Sequence, residues 1–403
     1  MKVLHVITGL GAGGAEQQLR LLVRNLPPEC RSEVVTLGNA GVVAKGLRAD
    51  GVRVADLRMR GNRDLAALPR LVRLIRRGGY DVVHCHLYRA CVYGRIAARL
   101  AGVPAIVTTE HSLLGTVIEG RRTTEGIRLL YRATELLGHG TVAVSQSVAD
   151  SLAEWGVPGS RIVLIPNGVD AARYRQPAPV RAAGRQSARA ALGLPQDAFV
   201  IGGLGRLVPG KRFDVLIDAL ALMPHPAART PWLLLVGEGV ERAALERRAR
   251  AAGVAERVVF AGERDDVPEL LTAMDVLAAP SEAETFGLAL IEGLAAGLPV
   301  RWSSGPALAE LPGASAPGAR RLASDPQAYA ADLGALSAGR PRSPGRAPAQ
   351  PEAVRHYDAA RLALEVADLY RRLARRPSVP RPASPVPSVP STPSVPEVDH
   401  VRP

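Results

Sequence analysis

Two glutamates eight residues apart, Glu284 and Glu292, stand in the segment Ser281 to Val300, which reads SEAETFGLALIEGLAAGLPV. A turn after a strand leads there into a helix beginning near Phe286, with Glu284 before it and Glu292 inside it. Were the whole stretch helical, the carboxylates would lie roughly 12 Å apart, too far to work on one anomeric carbon as glycosidase pairs do. They are placed instead to hold different parts of one long ligand. Between them, free N–H groups around Thr285 to Leu288 offer an anion site, and Gly287 allows a diphosphate close to the backbone.

A second cluster is GRLVPGKRFD, residues 205–214, which puts Arg206 and Lys211 on a loop between a buried strand and its helix. Two cations converging at one helix N-terminus suit a diphosphate, and no metal-binding cluster is evident to neutralise it instead. The glycine loop GLGAGGAE, residues 9–16, is a further phosphate cradle through Gly13 and Gly14. His111 follows a strand and faces the expected cleft. His84 and His86 fall on one strand face, a zinc-like spacing, but no third ligand has convincing spacing, so no metal is expected.

These loops must be carried by a repeating strand, loop and helix plan. Aliphatic strands are predicted at 2–8, 32–37, 52–57, 81–86, 105–109, 140–144 and 161–165, with helices between, so a mostly parallel sheet is expected. Residues 172–196 lack an apolar strand and read as a connector with one short helix. The plan then restarts, with strands at 199–204, 232–236, 257–261, 276–279 and 299–302. The predicted division is residues 1–171 as an N-terminal Rossmann-like domain, a connector at 172–196 and a second such domain at 197–352. A helix at 353–375 packs back on the first domain, and a Pro- and Ser-rich tail, 376–403, is extended or disordered. The whole is α/β, with two facing Rossmann-like domains and a cleft between them.

The order of these motifs resembles the family 4 retaining glycosyltransferases of GT-B fold, over residues 1 to about 370. The Glu284 to Glu292 segment is similar to that family's E-x7-E motif, and Ile165-Pro-Asn-Gly-Val-Asp170 also matches. The resemblance implies that Glu284 contacts the donor sugar and Glu292 the nucleotide ribose. It implies that Arg206 and Lys211 stabilise the leaving diphosphate, with His111 beside sugar and phosphate. The backbone from Phe260 to Arg264, including Gly262, would receive the base, while Phe286, Gly287 and Leu288 line the donor. The loop after Val300 departs from the family pattern, and Glu310 receives no role. Val6 to Leu19, Leu87 to Ala97 and Thr109 to Ser112 look like a narrower group, the kanosaminyltransferases of aminoglycoside antibiotic assembly. That implies a UDP-sugar donor and a pseudodisaccharide aminocyclitol acceptor.

Composition constrains the partners. The chain has 403 residues, 47% of them apolar and 4% aromatic, and a formal charge of +13. Such charge draws polyanions but would repel a polycationic acceptor at long range, so a local acidic patch is required, for which Glu16, Glu110 and Glu119 are the candidates. A lipid-linked sugar acceptor suits the charge better and is the alternative; a non-catalytic nucleotide-sugar-binding protein is the third reading. No basic stretch is interleaved with aromatics, which argues against nucleic acid. Arg70, Arg73, Arg76 and Arg77 form a basic amphipathic stretch able to touch an anionic membrane. Three unpaired-looking cysteines and the lack of a leader-like or spanning stretch point to a cytoplasmic protein. A nicotinamide enzyme is disfavoured, because Glu33 starts the second strand rather than ending it and no Tyr-x-x-x-Lys pair occurs. The expected co-substrate is a nucleotide sugar, with no other cofactor.

Overall fold

The computed structural model describes residues 1–61, 64–119, 121–175, 177–224, 229–339 and 350–375. Two parallel sheets carry the fold. The first comprises β1 (Lys2–Ile7), β2 (Arg31–Thr36), β3 (Arg53–Asp56), β4 (Val82–His86), β5 (Ala105–Glu110), β6 (Gly140–Ala143) and β7 (Ile162–Leu164), in the order β7-β6-β5-β4-β1-β2-β3. The second comprises β8 (Phe199–Leu204), β9 (Pro231–Val236), β10 (Val258–Gly262), β11 (Val276–Ala279), β12 (Val300–Trp302) and β13 (Ala319–Arg321), in the order β10-β9-β8-β11-β12-β13.

Strands such as Val82–His86 are buried along their whole length because helices cover both sheet faces, which is why they read as continuous rather than alternating apolar runs. On one face of the first sheet, Leu4, Val6, Val83 and Cys85 pack with Leu71 and Ile75 of the helix Ala67–Gly78 and with Ala90, Cys91 and Ala97 of the helix Tyr88–Leu100. On the other, Val3, Val82 and Val107 pack with Leu362, Val366 and Tyr370 of the C-terminal helix Ala359–Ala374.

Three expectations differ from the structure. The stretch 172–196 holds the helix Ala171–Tyr174 and the 14-residue helix Ala178–Ala191, the latter fixed by Arg185 and Arg189, which both ion-pair with Asp275. An arginine with 0% side-chain exposure, Arg189, could not be told from a solvated one by sequence. The C-terminal helix is broken into Glu352–His356 and Ala359–Ala374, because the Asp358 side chain caps the second piece by accepting from the Arg361 N–H. The edge strand β13 is too short and too basic to show an apolar period. The tail 376–403 lies outside the described residues.

Candidate active site

The E-x7-E segment folds as a turn followed by the helix Leu288–Ala295, whose N-cap is Gly287 at φ 94°. Only glycine holds that left-handed conformation without strain, and a Cβ there would meet Leu290 Cδ1 at 3.0 Å and Gly305 Cα at 3.3 Å. This corner fixes where the helix starts. Glu284, on the turn, takes an ion pair from Lys211 (Nζ to Oε1, 2.5 Å) and a hydrogen bond from Ser281 Oγ at 2.7 Å. Lys211 reaches it from the single turn Pro209–Lys211 after β8, followed by Arg212 at φ 52°. This left-handed non-glycine residue starts the next helix and sets the lysine's direction.

Glu292 points from the first turns of its helix toward Tyr174, whose hydroxyl donates to Oε1 at 2.8 Å. Burial raises the Glu292 carboxyl above the ordinary carboxylate range, against the Tyr174 hydrogen bond and the Arg173 and Lys211 charges, which lower it. Tyr174 belongs to the short helix that the sequence hid inside an apparent connector; nothing in the local pattern marked it. Arg206 is exposed on the same loop as Lys211 and lowers the pKa of Glu16 across the cleft.

Opposite these groups, the glycine loop leads into the helix Gly14–Asn25. Glu16 folds back so closely on Gly13 that a Cβ there would lie 2.3 Å from its Oε2. Burial raises the Glu16 carboxyl, its own backbone N–H and Arg206 lower it, and Glu119 and Glu263 raise it again. Glu263, from the end of the second sheet, accepts the Ala12 N–H at 3.0 Å. Glu119 accepts the Tyr88 N–H at 2.8 Å. Three carboxylates from three segments thus converge where the two halves meet. Glu263 lies in the Phe260 to Arg264 segment that the sequence singled out for its backbone, but nothing there marked its side chain.

Other residues fall differently. Glu110 is 0% exposed at the end of β5, accepts the Tyr131 hydroxyl at 2.8 Å and lies near the buried Arg95, so its side chain is part of the core and does not reach an acceptor. Phe286 is 3% exposed, with its ring edge-on to Tyr357 at 5.0 Å; only its backbone lies at the helix start. Arg264 is bound to Asp266 at 2.5 Å on the surface, and Gly262 receives the Gly237 N–H at 2.8 Å. Gly14 opens the first helix, and Leu288 is half-buried. The apolar stripe Ala67, Leu71 and Ile75 is buried in the core, and Arg70, Arg73, Arg76 and Arg77 of the same helix are exposed. Among the described residues no helix is long and apolar enough to cross a membrane.

His111 lies just beyond β5, its Nε2 3.3 Å from His86 Nδ1, and burial lowers its pKa to about 4. The third imidazole that spacing did not disclose is His5, opposite His84 in register on β1, so that ligand-type atoms of His5, His84 and His86 fall within 4.8 Å of one another. Both nitrogens of His84 are already engaged, Nδ1 with the Tyr370 hydroxyl at 2.6 Å and Nε2 with Thr109 Oγ1 at 2.7 Å. A metal would have to displace these short hydrogen bonds to use His84, whereas His5 and His86 are bonded to each other, Nδ1 to Nε2 at 3.3 Å.

Glu310, left without a role by the sequence, accepts from the Gln146 N–H at 2.9 Å and the Ser147 N–H at 3.3 Å, capping the helix Gln146–Glu154 of the opposite half. Ser145 Oγ also donates to the Thr285 carbonyl at 2.6 Å. These contacts join the E-x7-E turn and the loop after Val300 to the first sheet.

The profile of Glycosyltransferase Family 4 matches residues 12–173, and that of Glycosyl transferases group 1 matches residues 184–338. A 2-deoxystreptamine glucosyltransferase of Streptomyces kanamyceticus is 34% identical over 58% of this chain and 62% of its own length. A UDP-Gal:alpha-D-GlcNAc-diphosphoundecaprenol alpha-1,3-galactosyltransferase of Escherichia coli is 30% identical over 59% of this chain and 61% of its own. Each match thus spans about three fifths of that relative. A D-inositol 3-phosphate glycosyltransferase of Xylanimonas cellulosilytica is 31% identical over 74% of this chain and 73% of its own length. The structure of Anabaena Alr3699/HepE in complex with UDP-glucose superimposes with a TM-score of 0.76 at 23% identity, over 92% of this chain and all of that one. Two parallel-sheet halves, a glycine-capped E-x7-E helix facing a glycine loop, and these matches together place the chain in the family 4 glycosyltransferases of GT-B fold.

Proposed function

We propose that this protein transfers a hexosyl group from a UDP-sugar to a hydroxyl of a pseudodisaccharide aminocyclitol, with retention at the anomeric carbon, as in aminoglycoside antibiotic assembly. The donor half of the reading rests on one arrangement: Lys211, ion-paired to Glu284, beside the Gly287 helix start, with Glu292 held by Tyr174 one helix turn further on. In it the diphosphate lies against the N–H groups of residues 288 and 289, with Lys211 and Arg206 as cations. Glu284 meets the sugar and Glu292 the ribose. The Anabaena protein that shares this fold was crystallised with UDP and with UDP-glucose.

No carboxylate is assigned as a nucleophile. In the mechanism that the family resemblance implies, attack and departure take place on one face of the sugar, through an oxocarbenium-like state. The diphosphate oxygen takes the acceptor's proton. Arg206, Lys211 and the helix N-terminus stabilise the leaving group as its charge develops.

The acceptor half rests on Glu16, Glu119 and Glu263. Their convergence supplies the local negative field that a cationic aminocyclitol needs against the +13 net charge. The Streptomyces relative acts, by its name, on 2-deoxystreptamine. A lipid-linked acceptor is the second reading, favoured by the net charge and by the diphosphoundecaprenol named for the Escherichia coli relative.

Calorimetric titration with UDP, GDP, UDP-glucose and NAD, followed by transfer assays, tests both halves. UDP binding that is lost in Glu292→Ala supports the donor site, and binding of NAD alone refutes it. Transfer to a 2-deoxystreptamine pseudodisaccharide in preference to a polyprenyl-diphosphate sugar supports the acceptor; the reverse preference selects the second reading. UDP-sugar binding without transfer or slow hydrolysis would make the chain a non-catalytic binder.

A further inference from the structure

Three imidazoles and a hydroxyl are joined end to end through the first sheet. Ser32 Oγ lies 3.3 Å from His5 Nε2, His5 Nδ1 lies 3.3 Å from His86 Nε2, and His86 Nδ1 lies 3.3 Å from His111 Nε2. The remaining nitrogen, His111 Nδ1, is buried without a partner. His111 sits just past the carboxyl end of β5, the sheet edge at which ligands bind in open α/β folds, in a cavity also lined by Gln18, Asn167 and Gly168. Ser32 is the second residue of β2, partly exposed, at the opposite edge.

We propose that Ser32, His5, His86 and His111 form a proton relay between the reaction cleft and the far edge of the sheet. This rests on the reading of the cleft as the site of sugar transfer.

The chain can hold only two hydrogen-bond directions while every ring stays neutral. In one, His111, His86 and His5 each carry the proton on Nε2 and donate toward Ser32, leaving a lone pair on His111 Nδ1. In the other, Ser32 donates to His5, every ring carries its proton on Nδ1, and His111 presents an N–H. Transfer exchanges one state for the other. The acceptor's proton, passed to the diphosphate oxygen, moves to His111 Nδ1. The Nε2 protons of His111, His86 and His5 move to His86 Nδ1, His5 Nδ1 and Ser32 Oγ, and the Ser32 hydroxyl proton leaves to water. One bond to hydrogen breaks for each that forms, and nothing is oxidised. When the cleft opens, water removes the proton from His111 Nδ1 and supplies one at Ser32, restoring the first state.

The surroundings favour passage without an imidazolium. Burial lowers His5 to about 3 and His111 to about 4 and holds His86 well below its ordinary value, and the neighbouring histidines lower His86 further. The other titratable groups at the chain are His84, whose ring centroid is 4.1 Å from that of His86, and Tyr370, which is bonded to His84. Both nitrogens of His84 are engaged elsewhere, so it flanks the relay as a packed neighbour.

His5→Asn separates relay from scaffold. The amide oxygen can still accept from His86 Nε2, but it passes no proton onward. Expected are a melting temperature and UDP affinity like those of the unaltered protein, kcat lower by about 100-fold, and loss of the multi-proton solvent isotope effect on kcat. A kcat within twofold of the unaltered protein, with the isotope effect intact, would overturn the relay while leaving the sugar-transfer reading in place. Absence of UDP binding by the unaltered protein would instead refute that reading. For that case, long-range proton–nitrogen spectra of the full chain without ligand provide a second test. His111→Ala should change the tautomer populations of His5, two rings away, and unchanged His5 signals overturn the relay. One equivalent of zinc in the purified protein, lost in His5→Asn, would also overturn it by making the cluster a metal site.

Discussion

Lys211 is the residue whose loss most directly tests the donor reading. It is a single preorganised charge on a loop fixed by a left-handed Arg212. Replacing it with alanine is expected to lower turnover by 10²- to 10³-fold, roughly 3 kcal/mol of transition-state stabilisation, without lowering the melting temperature. Steady-state rates with a UDP-sugar decide this; a wild-type rate would remove Lys211 from the mechanism. Glu292 gives a prediction of opposite sign for stability and function. Its folded-state pKa is raised by burial, so its contribution to stability is fully present below the ordinary carboxylate pKa and falls as pH rises through the raised value. Glu292→Gln should therefore melt above the unaltered protein at pH 7 to 8. The difference should shrink as pH drops toward 4, while UDP affinity falls at neutral pH. A variant that melts lower at pH 8 than the unaltered protein would contradict this burial cost.

At the scale of elements, the decisive feature is the corner between the E-x7-E turn and its helix. Gly287→Ala places a Cβ at φ 94° with Leu290 and Gly305 as close neighbours. A loss of roughly 1 to 3 kcal/mol in denaturant unfolding is expected, with weaker UDP binding because the N–H groups lose their direction. Equal stability would mean the corner tolerates a side chain and would weaken the argument that glycine is required for the approach of a diphosphate. The C-terminal helix Ala359–Ala374 acts on the opposite half of the chain, because Tyr370 satisfies His84 from across the sheet face. Tyr370→Phe leaves that buried nitrogen unpaired and should cost about 1 to 3 kcal/mol in the same measurement. An unchanged unfolding midpoint would mean that another group takes over the bond.

For the whole molecule, the two halves are tied by polar contacts at the mouth of the cleft: Glu310 on the Gln146 and Ser147 N–H groups, Ser145 on Thr285 and Glu263 on Ala12. Such bonds are each worth little net and can be exchanged for water, which suits halves that must part to admit a donor. Glu310→Ala is expected to enlarge the radius of gyration of the ligand-free protein in small-angle X-ray scattering. It should also raise the KM for donor several-fold while leaving the melting temperature nearly unchanged. Identical scattering curves would show that Glu310 does not help to hold the halves together.

The sequence by itself determined the two-sheet plan. The strands at 199–204 and 276–279 were placed to the residue, since buried parallel strands are short aliphatic runs bounded by turn residues. Glu284, Lys211 and Gly287 could be named as candidates because one local motif carries each of them, and the structure pairs the first two and puts the third at the helix N-cap. Tertiary structure alone decided which carboxylates face the cleft. Glu110 and Glu119 are nine residues apart and equally charged on paper, yet one lies in the core with Tyr131 and the other caps a helix beside Glu16. It also brought in Tyr174, Glu263, Glu310 and His5, whose partners lie from 81 to 251 residues away. The physical reason is range. Backbone propensity and hydrophobic period act over a few residues, whereas burial, desolvation and the meeting of loops depend on how sheets pack and halves close.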